Sequence, residues 1–272
     1  MQKVDLLAAR QFEQQVQRAF IPAHIDCEQV AGFGRRLVTV PYRDDKEDLD
    51  ALAAAAERER AKIVYLSNPD NPMGTWWSGA AVEAFIDMLP DETLLILDEA
   101  YGELAPDGVR PSIDTGRRNV LRFRTFSKAY GLAGLRVGYA FGPADLCVQY
   151  NKVRDHFGVN VMAQHAALAA LGDQKWLEQV SVQFEAARKH IAAIATANGL
   201  VPLPSATNFV TIDCGRDGDY ARALVGALAE EGIFVRMPFV APEDRCIRVS
   251  AGTAGDLDAF AEGLPRALAT IG

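Results

Sequence analysis

The sequence lacks the features of several large classes of protein. No run of 18 apolar residues occurs, so no membrane-spanning helix is expected. The first 15 residues have no apolar core of the kind found in secretory signals. Basic residues number 28 against 36 acidic ones, which gives a formal net charge of -8. This balance argues against a nucleic acid or a membrane as a partner, since both require a basic surface.

Cysteine and glycine patterns argue against further kinds of site. The four cysteines are far apart in the chain, and none belongs to a CxxC pair; they are Cys27, Cys147, Cys214 and Cys246. This usage indicates reduced thiols in a cytoplasmic protein without a metal site. No GxGxxG lies between a strand and a helix, as dinucleotide binding would require, and no GxSxG marks a hydrolase nucleophile.

The rest of the composition is that of a globular protein with alternating strands and helices. Of the 272 residues, 49% are hydrophobic and 24% are charged, which suits one large domain or two modest ones. Apolar spacing predicts strands at 35–42, 62–67, 93–101 and 119–126, and helices at 4–20, 46–61 and 79–89. This alternation predicts an α/β fold, in which helices cover a mostly parallel sheet.

A smaller α+β domain is predicted from about Asp173 onward. A long amphipathic helix at 176–199 carries an apolar stripe from Trp176 to Ile194. Strands at 208–214, 233–237 and 246–252 follow, with helices at 220–232 and from 255 onward. We therefore expect two domains, 1–172 and 173–272, joined through the long helix.

Two isolated cations occur in the stretch RTFSKAYGLAGLRVGYAFG at 124–142. Lys128 follows two hydroxyl residues, and Arg136 comes eight positions later, both among small and apolar neighbours. Lysine and arginine are almost never fully buried unless they are paired. Each of these two side chains therefore either reaches solvent or has an anionic or covalent partner.

Polar and charged side chains follow three of the predicted strands. NPDNPMG at 68–74 follows KIVYLS, DEAY lies at 98–101, and TFSK lies at 125–128. In open α/β sheets, ligands bind outside the carboxyl ends of the strands. Each motif alone also fits a structural turn, a helix cap or a solvated cation. Their occurrence together, each at a strand end, favours one shared site.

The side chains of these segments match the groups of one cofactor. Asp98, at the end of an apolar strand, needs a cation such as a protonated heterocyclic nitrogen. Lys128 would lose its localised charge as an imine with an aldehyde. The hydroxyls of Thr125 and Ser127 and the guanidinium of Arg136 suit a phosphate dianion. The amide of Asn71 and the phenol of Tyr101 suit a phenolic oxygen. Pyridoxal 5'-phosphate carries all four groups.

The motifs resemble those of the fold-type I pyridoxal-phosphate aminotransferases, and within them the histidinol-phosphate aminotransferase group. SNPDNPMGT is similar to the family's NPxNPTG loop, and LLILDEAYGE to its DEAY strand end. RTFSKAYGLAGLRVGY is similar to the cofactor-lysine segment, and PSATNFVTI and CIRVSAGT to two C-terminal motifs. The resemblance extends from about residue 30 to the end. It implies a cytoplasmic homodimer with a cofactor-binding large domain and a small C-terminal domain.

The resemblance also implies a role for each matching residue. The catalytic residues would be Lys128, which forms the imine and moves a proton, with Asp98 and Tyr101. Cofactor binding would fall to these three and to Asn71, Thr125, Ser127 and Arg136. Arg248 and Asn208 would bind the substrate, with Arg236 as a weaker candidate.

The implied reaction moves an amino group between an amino acid, or a histidinol-phosphate-like amine, and a 2-oxo acid. Two alternatives stay open. One is a different reaction with the same cofactor, such as decarboxylation or elimination. The other is a truncated, catalytically impaired relative, because no glycine-rich phosphate loop precedes Asn68. The first domain is accordingly expected to be incomplete at its N-terminus.

Overall fold

The computed structural model describes residues 18–20, 34, 36–152 and 157–272, and for 18–20 it describes the backbone only. These residues form two compact units. The first contains the described residues up to Asn68, together with Trp77–Gly102 and Asp107–Gly172. The second contains Asp173–Gly272 and two short segments, Pro69–Trp76 and Glu103–Pro106.

The first unit is built on a six-stranded sheet. Its strands are β1 (Arg18–Phe20), β2 (Arg36–Val38), β5 (Ile63–Ser67), β6 (Leu94–Asp98), β7 (Val120–Thr125) and β8 (Gly138–Phe141), in the order β2-β1-β5-β6-β7-β8. All neighbours pair in parallel except β7 and β8, which are antiparallel. A short hairpin joins β3 (Tyr42–Arg43) and β4 (Lys46–Glu47). The predicted α/β fold with a mostly parallel sheet is therefore confirmed.

Four α-helices are described in the first unit, and the first two pack on this sheet. The four helices are α1 (Leu49–Glu59), α2 (Gly79–Met88), α3 (Ala144–Cys147) and α4 (Val161–Gly172). α1 begins where the Asp48 side chain accepts a hydrogen bond from Ala51 N, and α2 begins where Ser78 accepts one from Ala81 N. One core cluster joins buried residues of α1 and α2 to those of β5 and β6; it includes Leu52, Ala56, Val82, Phe85, Val64, Leu66, Leu95 and Leu97. Full burial of each large side chain contributes about 1.5–3 kcal/mol.

The second unit has a three-stranded antiparallel sheet and three helices. The strands are β9 (Val201–Pro202), β10 (Phe209–Asp213) and β11 (Cys246–Ser250), in the order β11-β10-β9. The helices are α5 (Gln174–Ala197), α6 (Gly218–Glu230) and α7 (Ala254–Ile271). Their core cluster includes Ile191, Ile212, Leu224, Leu228, Ile247, Phe260 and Leu264. A capping box of Thr253 and Asp256 begins α7.

Four local predictions differ from the structure. The helix expected at 4–20 is wrong at its end, because Arg18–Phe20 pairs as a strand with β2 and β5; the rest of that range lies outside the described residues. The strand expected at 35–42 stops at Val38, before Pro41. The helix expected at 46–61 starts at Leu49, since Asp48 caps it. At 233–237 only Arg236 forms a bridge, with Arg248.

Sequence analysis did not predict several elements, among them β8 and α4. Along the described ranges, no helix combines the length and the apolar character needed to cross a lipid bilayer.

Candidate active site

Three parallel strands of the first unit end at the same level. Ser67 at the end of β5 pairs with Asp98 at the end of β6, and Asp98 pairs with Phe123 of β7. Glu99 N continues the ladder with a 2.9 Å hydrogen bond to Phe123 O. The register therefore brings Asp98 and the segment that follows Thr125 to one edge of the sheet.

Asp98 is half-buried, and both of its carboxylate oxygens accept hydrogen bonds. Oδ1 accepts from Ala100 N at 2.9 Å, and Oδ2 accepts from the Tyr65 hydroxyl at 2.5 Å. No lysine or arginine of the described chain lies within ion-pair distance of this carboxylate. Sequence analysis missed Tyr65, whose place in the apolar strand KIVYLS gave no sign of a polar contact.

Lys128 lies in the turn that follows β7. The turn is closed by hydrogen bonds from Gly131 N to Lys128 O at 3.0 Å and from Leu132 N to Phe126 O at 2.8 Å. The half-buried lysine places its Nζ 5.0 Å from the centroid of the buried Tyr101 ring. A ring face attracts a cation by about 0.5–1 kcal/mol at an exposed site. Within the described ranges, no carboxylate forms an ion pair with Lys128, so its amine is held close to an aromatic face but is not committed to an anion.

A loop from Thr125 to Arg136 presents hydroxyl and guanidinium groups. Phe126 N donates to Val137 O at 3.1 Å, which closes the loop on itself. Thr125 Oγ1 accepts a 3.0 Å hydrogen bond from Ser127 N. Arg136 has a left-handed backbone, with φ of 53°, and its exposed side chain donates to Ala133 O at 2.9 Å. No carboxylate of the described residues pairs with Arg136, and a guanidinium has five N–H donors.

A buried cluster of charges follows Asp98 directly. The Glu99 cluster consists of Glu99, Arg122 and Arg124, whose side chains are 1%, 5% and 11% exposed. Arg122 binds the Glu99 carboxylate with two nitrogens, at 3.0 and 2.6 Å, and Arg124 Nε adds a third contact at 3.0 Å. Arg122 also donates to the carbonyls of Ser112 and Pro111. Alternate arginines in VLRFRT beside an acidic strand end were a usable signal that sequence analysis did not take up.

The loop after β5 belongs to the second unit, where it holds Asn71. Gly74 has φ of +80°, and a side chain there would lie 2.8 Å from Ser205 Oγ, which explains the glycine. Thr211 donates to Pro72 O, and Ala206 N donates to Gly74 O at 2.9 Å. These contacts within the second unit fix the loop to the segment that contains Asn208.

Arg248 on β11 contacts two of the residues that sequence analysis singled out. Its guanidinium donates to Asn71 Oδ1, and it lies 4.8 Å from the centroid of the Phe209 ring. Its backbone pairs with that of Arg236 through hydrogen bonds in both directions, at 2.6 and 3.1 Å. Asn208 O accepts from Ala251 N at 2.9 Å. The second unit therefore presents two arginines side by side, next to an amide.

The structure groups the candidate residues in two sets. Six lie in the first unit, namely Asp98, Tyr101, Thr125, Ser127, Lys128 and Arg136. Four lie in the second unit, namely Asn71, Asn208, Arg236 and Arg248. The first set can hold an aldehyde, a cationic ring nitrogen and a phosphate, and the second can hold an anion.

Comparison with known proteins identifies the protein family of this chain. The chain belongs to the aminotransferase class I and II family, which it matches over residues 22–264. It is similar to histidinol-phosphate aminotransferase 1 of Cupriavidus pinatubonensis, with 40% identity over 86% of this chain and 63% of that protein. Histidinol-phosphate aminotransferase 2 of Ralstonia nicotianae is 39% identical over 93% of this chain and 67% of its own length.

A solved structure is also similar to this chain. It is the histidinol-phosphate aminotransferase of Sinorhizobium meliloti in complex with pyridoxal-5'-phosphate, with 48% identity and a TM-score of 0.91. The alignment covers 98% of this chain and 75% of that one. This chain thus spans between about three fifths and three quarters of the length of these relatives.

Proposed function

We propose that the chain is a pyridoxal-phosphate-dependent aminotransferase. It would move an amino group between an amino acid, or a histidinol-phosphate-like amine, and a 2-oxo acid. The observation that carries the proposal is the pair of half-buried groups in the first unit, Lys128 and Asp98. Neither has an ionic partner among the described residues, although an ionised group out of water requires one.

The donor set of the first unit fits pyridoxal phosphate group by group. An amine held on an aromatic face at Lys128 suits the aldehyde, and the Asp98 carboxylate suits a protonated ring nitrogen. The Tyr101 phenol suits the ring oxygen. The hydroxyls of Thr125 and Ser127 with the Arg136 guanidinium suit the phosphate.

Three residues of the first unit, Lys128, Asp98 and Arg136, would have distinct roles in the proposed reaction. The bound cofactor would supply an electron sink for the carbanion that forms when the substrate loses its α-proton. Lys128 would carry the cofactor covalently and move the proton at its Nζ. Asp98 would hold the positive charge on the ring nitrogen, and Arg136 would anchor the phosphate so that the ring cannot rotate out of place.

The residues of the second unit are proposed as binding residues. Arg248 would bind the anionic group of the substrate, which is a carboxylate or a phosphate, because a guanidinium recognises both with two parallel hydrogen bonds. Arg236, paired with it through the backbone, would add a second positive charge. Asn208 would line the same substrate site. Asn71 would be a cofactor ligand that Arg248 orients through its hydrogen bond.

A homodimer is proposed from the surface of α4. This helix buries only small residues, Ala163 and Ala167, while Val161, Met162, Leu168 and Leu171 are between 44% and 72% exposed. Contiguous exposed apolar side chains mark interaction surfaces. Sedimentation equilibrium should give twice the mass of the 272-residue chain, and a monomer at all concentrations would contradict this part of the proposal.

We also propose a cytoplasmic location. The three described cysteines, Cys147, Cys214 and Cys246, are free thiols. Free thiols support a reducing compartment.

Product analysis is the experiment that tests the proposed reaction. The purified chain with pyridoxal phosphate is given histidinol phosphate or single amino acids together with a 2-oxo acid, and the products are identified by mass spectrometry. Appearance of the amino acid that corresponds to the acceptor supports amino transfer. Release of carbon dioxide or ammonia without this product would instead indicate decarboxylation or elimination.

A further inference from the structure

A phenol on the neighbouring strand holds the proposed cofactor-binding carboxylate. Tyr65 lies on β5 two residues before Ser67, and Ser67 pairs with Asp98. Side chains two apart on a strand share a face of the sheet, so Tyr65 and Asp98 point to the same side. The Tyr65 hydroxyl donates to Asp98 Oδ2 at 2.5 Å.

The Asp98 carboxylate is fixed at both of its oxygens. Ala100 N holds Oδ1 through a bond within the local turn. The Tyr65 hydroxyl, which comes from another strand, holds Oδ2 and so restrains rotation of the carboxylate. A carboxylate has about four lone-pair sites. Two donors therefore leave acceptor capacity on both oxygens for a further N–H group.

We propose that Tyr65 is a positioning residue that holds Asp98 in the orientation that binds the protonated ring nitrogen of pyridoxal phosphate. The inference rests on the proposed function. The hydrogen bond from the phenol fixes the carboxylate, and a fixed carboxylate loses less freedom when the ring binds. Tyr65 does not touch the reacting atoms, and it acts through Asp98 alone.

A different role for the same contact is purely structural. In that case the hydroxyl only satisfies a half-buried carboxylate, and its removal weakens the fold and the binding of every ligand equally. The two roles differ in their dependence on the ring nitrogen. A positioning role affects only ligands that have this nitrogen, because only they use the orientation of Asp98.

The test measures the binding of two ligands to each of three forms of the chain. The ligands are pyridoxal phosphate and its analogue in which C–H replaces the ring nitrogen. The forms are the unsubstituted chain, Tyr65→Phe, and Tyr220→Phe as the control. Tyr220 lies on α6 of the second unit, where its ring contacts Arg216. Titration calorimetry gives the dissociation constants, and circular dichroism melting of the ligand-free forms checks that each variant folds.

We expect Tyr65→Phe to weaken pyridoxal phosphate binding about tenfold, which corresponds to about 1.4 kcal/mol. The affinity of Tyr65→Phe for the C–H analogue should change less than about twofold. The affinities of Tyr220→Phe for both ligands should also change less than about twofold. Equal losses for both ligands, or no loss for pyridoxal phosphate, would overturn the inference while leaving the proposed function intact. If the unsubstituted chain binds neither ligand, the proposed function fails first.

A double-variant cycle with Asp98→Asn tests separately whether Tyr65 acts through Asp98. Asp98→Asn retains the phenol and removes the charge that Tyr65 orients. In the Asp98→Asn background, Tyr65→Phe should change pyridoxal phosphate affinity less than about twofold. A second loss as large as that in the native background would contradict action through Asp98.

Discussion

Replacing Glu99 by glutamine tests the energetic weight of the Glu99 cluster. The substitution keeps the shape of the side chain but removes the carboxylate that Arg122 and Arg124 share. All three side chains are at least 89% buried by their exposed fractions. The two arginines would therefore keep their charge in a region that has little water.

The expected loss is worked out from the contacts that remain. Breaking a buried ion pair by removing one partner costs about 3–5 kcal/mol. Arg122 would keep the carbonyls of Ser112 and Pro111 as acceptors, at 2.7 and 3.1 Å. The ring of Phe141 would also stay within 5.0 Å of its guanidinium. Because these contacts partly satisfy Arg122, we expect the lower part of the range, about 3 kcal/mol.

Urea unfolding followed by circular dichroism at pH 7 measures this loss. Glu185→Gln is the control, since Glu185 is an exposed residue whose partner, Lys189, is also exposed, and surface pairs contribute little. The free energy of unfolding could instead fall by less than about 1 kcal/mol in Glu99→Gln, or by the same amount as in the control. Either result would refute the argument that the Glu99 carboxylate neutralises two buried arginines.

Two further predictions concern the phosphate loop and a buried thiol. Arg136→Gln should weaken pyridoxal phosphate binding about 10- to 150-fold, since a hydrogen bond to a charged group contributes about 1.5–3 kcal/mol. Binding of pyridoxal, which has no phosphate, should not change in the same titration. An equal loss of affinity for both ligands would contradict phosphate binding by Arg136. Burial raises the pKa of the Cys214 thiol from its ordinary value of 9.0 to about 11. The folded state thus holds this proton more tightly, and the resulting stability is complete below pH 9.0 and is lost as the pH rises through about 11. The difference in unfolding free energy between the native chain and Cys214→Ala should therefore shrink by up to about 3 kcal/mol over this range, and a constant difference would contradict the burial argument.

The elements that sequence analysis predicted well are those with a strong local pattern. The strand KIVYLS and the helix GAAVEAFIDM have apolar residues at the spacing that their burial requires, and the structure has them at Ile63–Ser67 and Gly79–Met88. The polar side chain of Asp98 marked the end of β6 because it breaks an apolar run. Local patterns of this kind need no knowledge of distant residues.

The elements that sequence analysis missed depend on distant partners. Arg18–Phe20 is a strand because β2 and β5 supply hydrogen bonds on both sides, which overrides the helical spacing of its surroundings. The apolar stripe of α5 is buried at Ile191 and Ile194 but leaves Trp176 52% exposed, since the core of the second unit packs on the C-terminal half of the helix. The periodicity was the same along both halves.

The polar contacts of the candidate site were equally hidden. Asn71 and Arg248 are 177 positions apart, and their hydrogen bond exists only after the loop at 69–76 joins the second unit. Tyr65 is separated from Asp98 by 33 positions, and the register of β5 on β6 brings them together. Motifs located these residues or their neighbours, but the tertiary contacts determined which side chains meet.

Covalent attachment of the cofactor to Lys128 is the most direct test of the proposed cofactor site. The chain is mixed with pyridoxal phosphate, its absorption spectrum is recorded, and the adduct is reduced with borohydride and mapped by peptide mass spectrometry. We expect a visible absorption band and reduced cofactor on Lys128, with both lost in Lys128→Ala. A folded chain without the band, or with cofactor spread over surface lysines and unchanged in Lys128→Ala, would contradict the proposed role of Lys128.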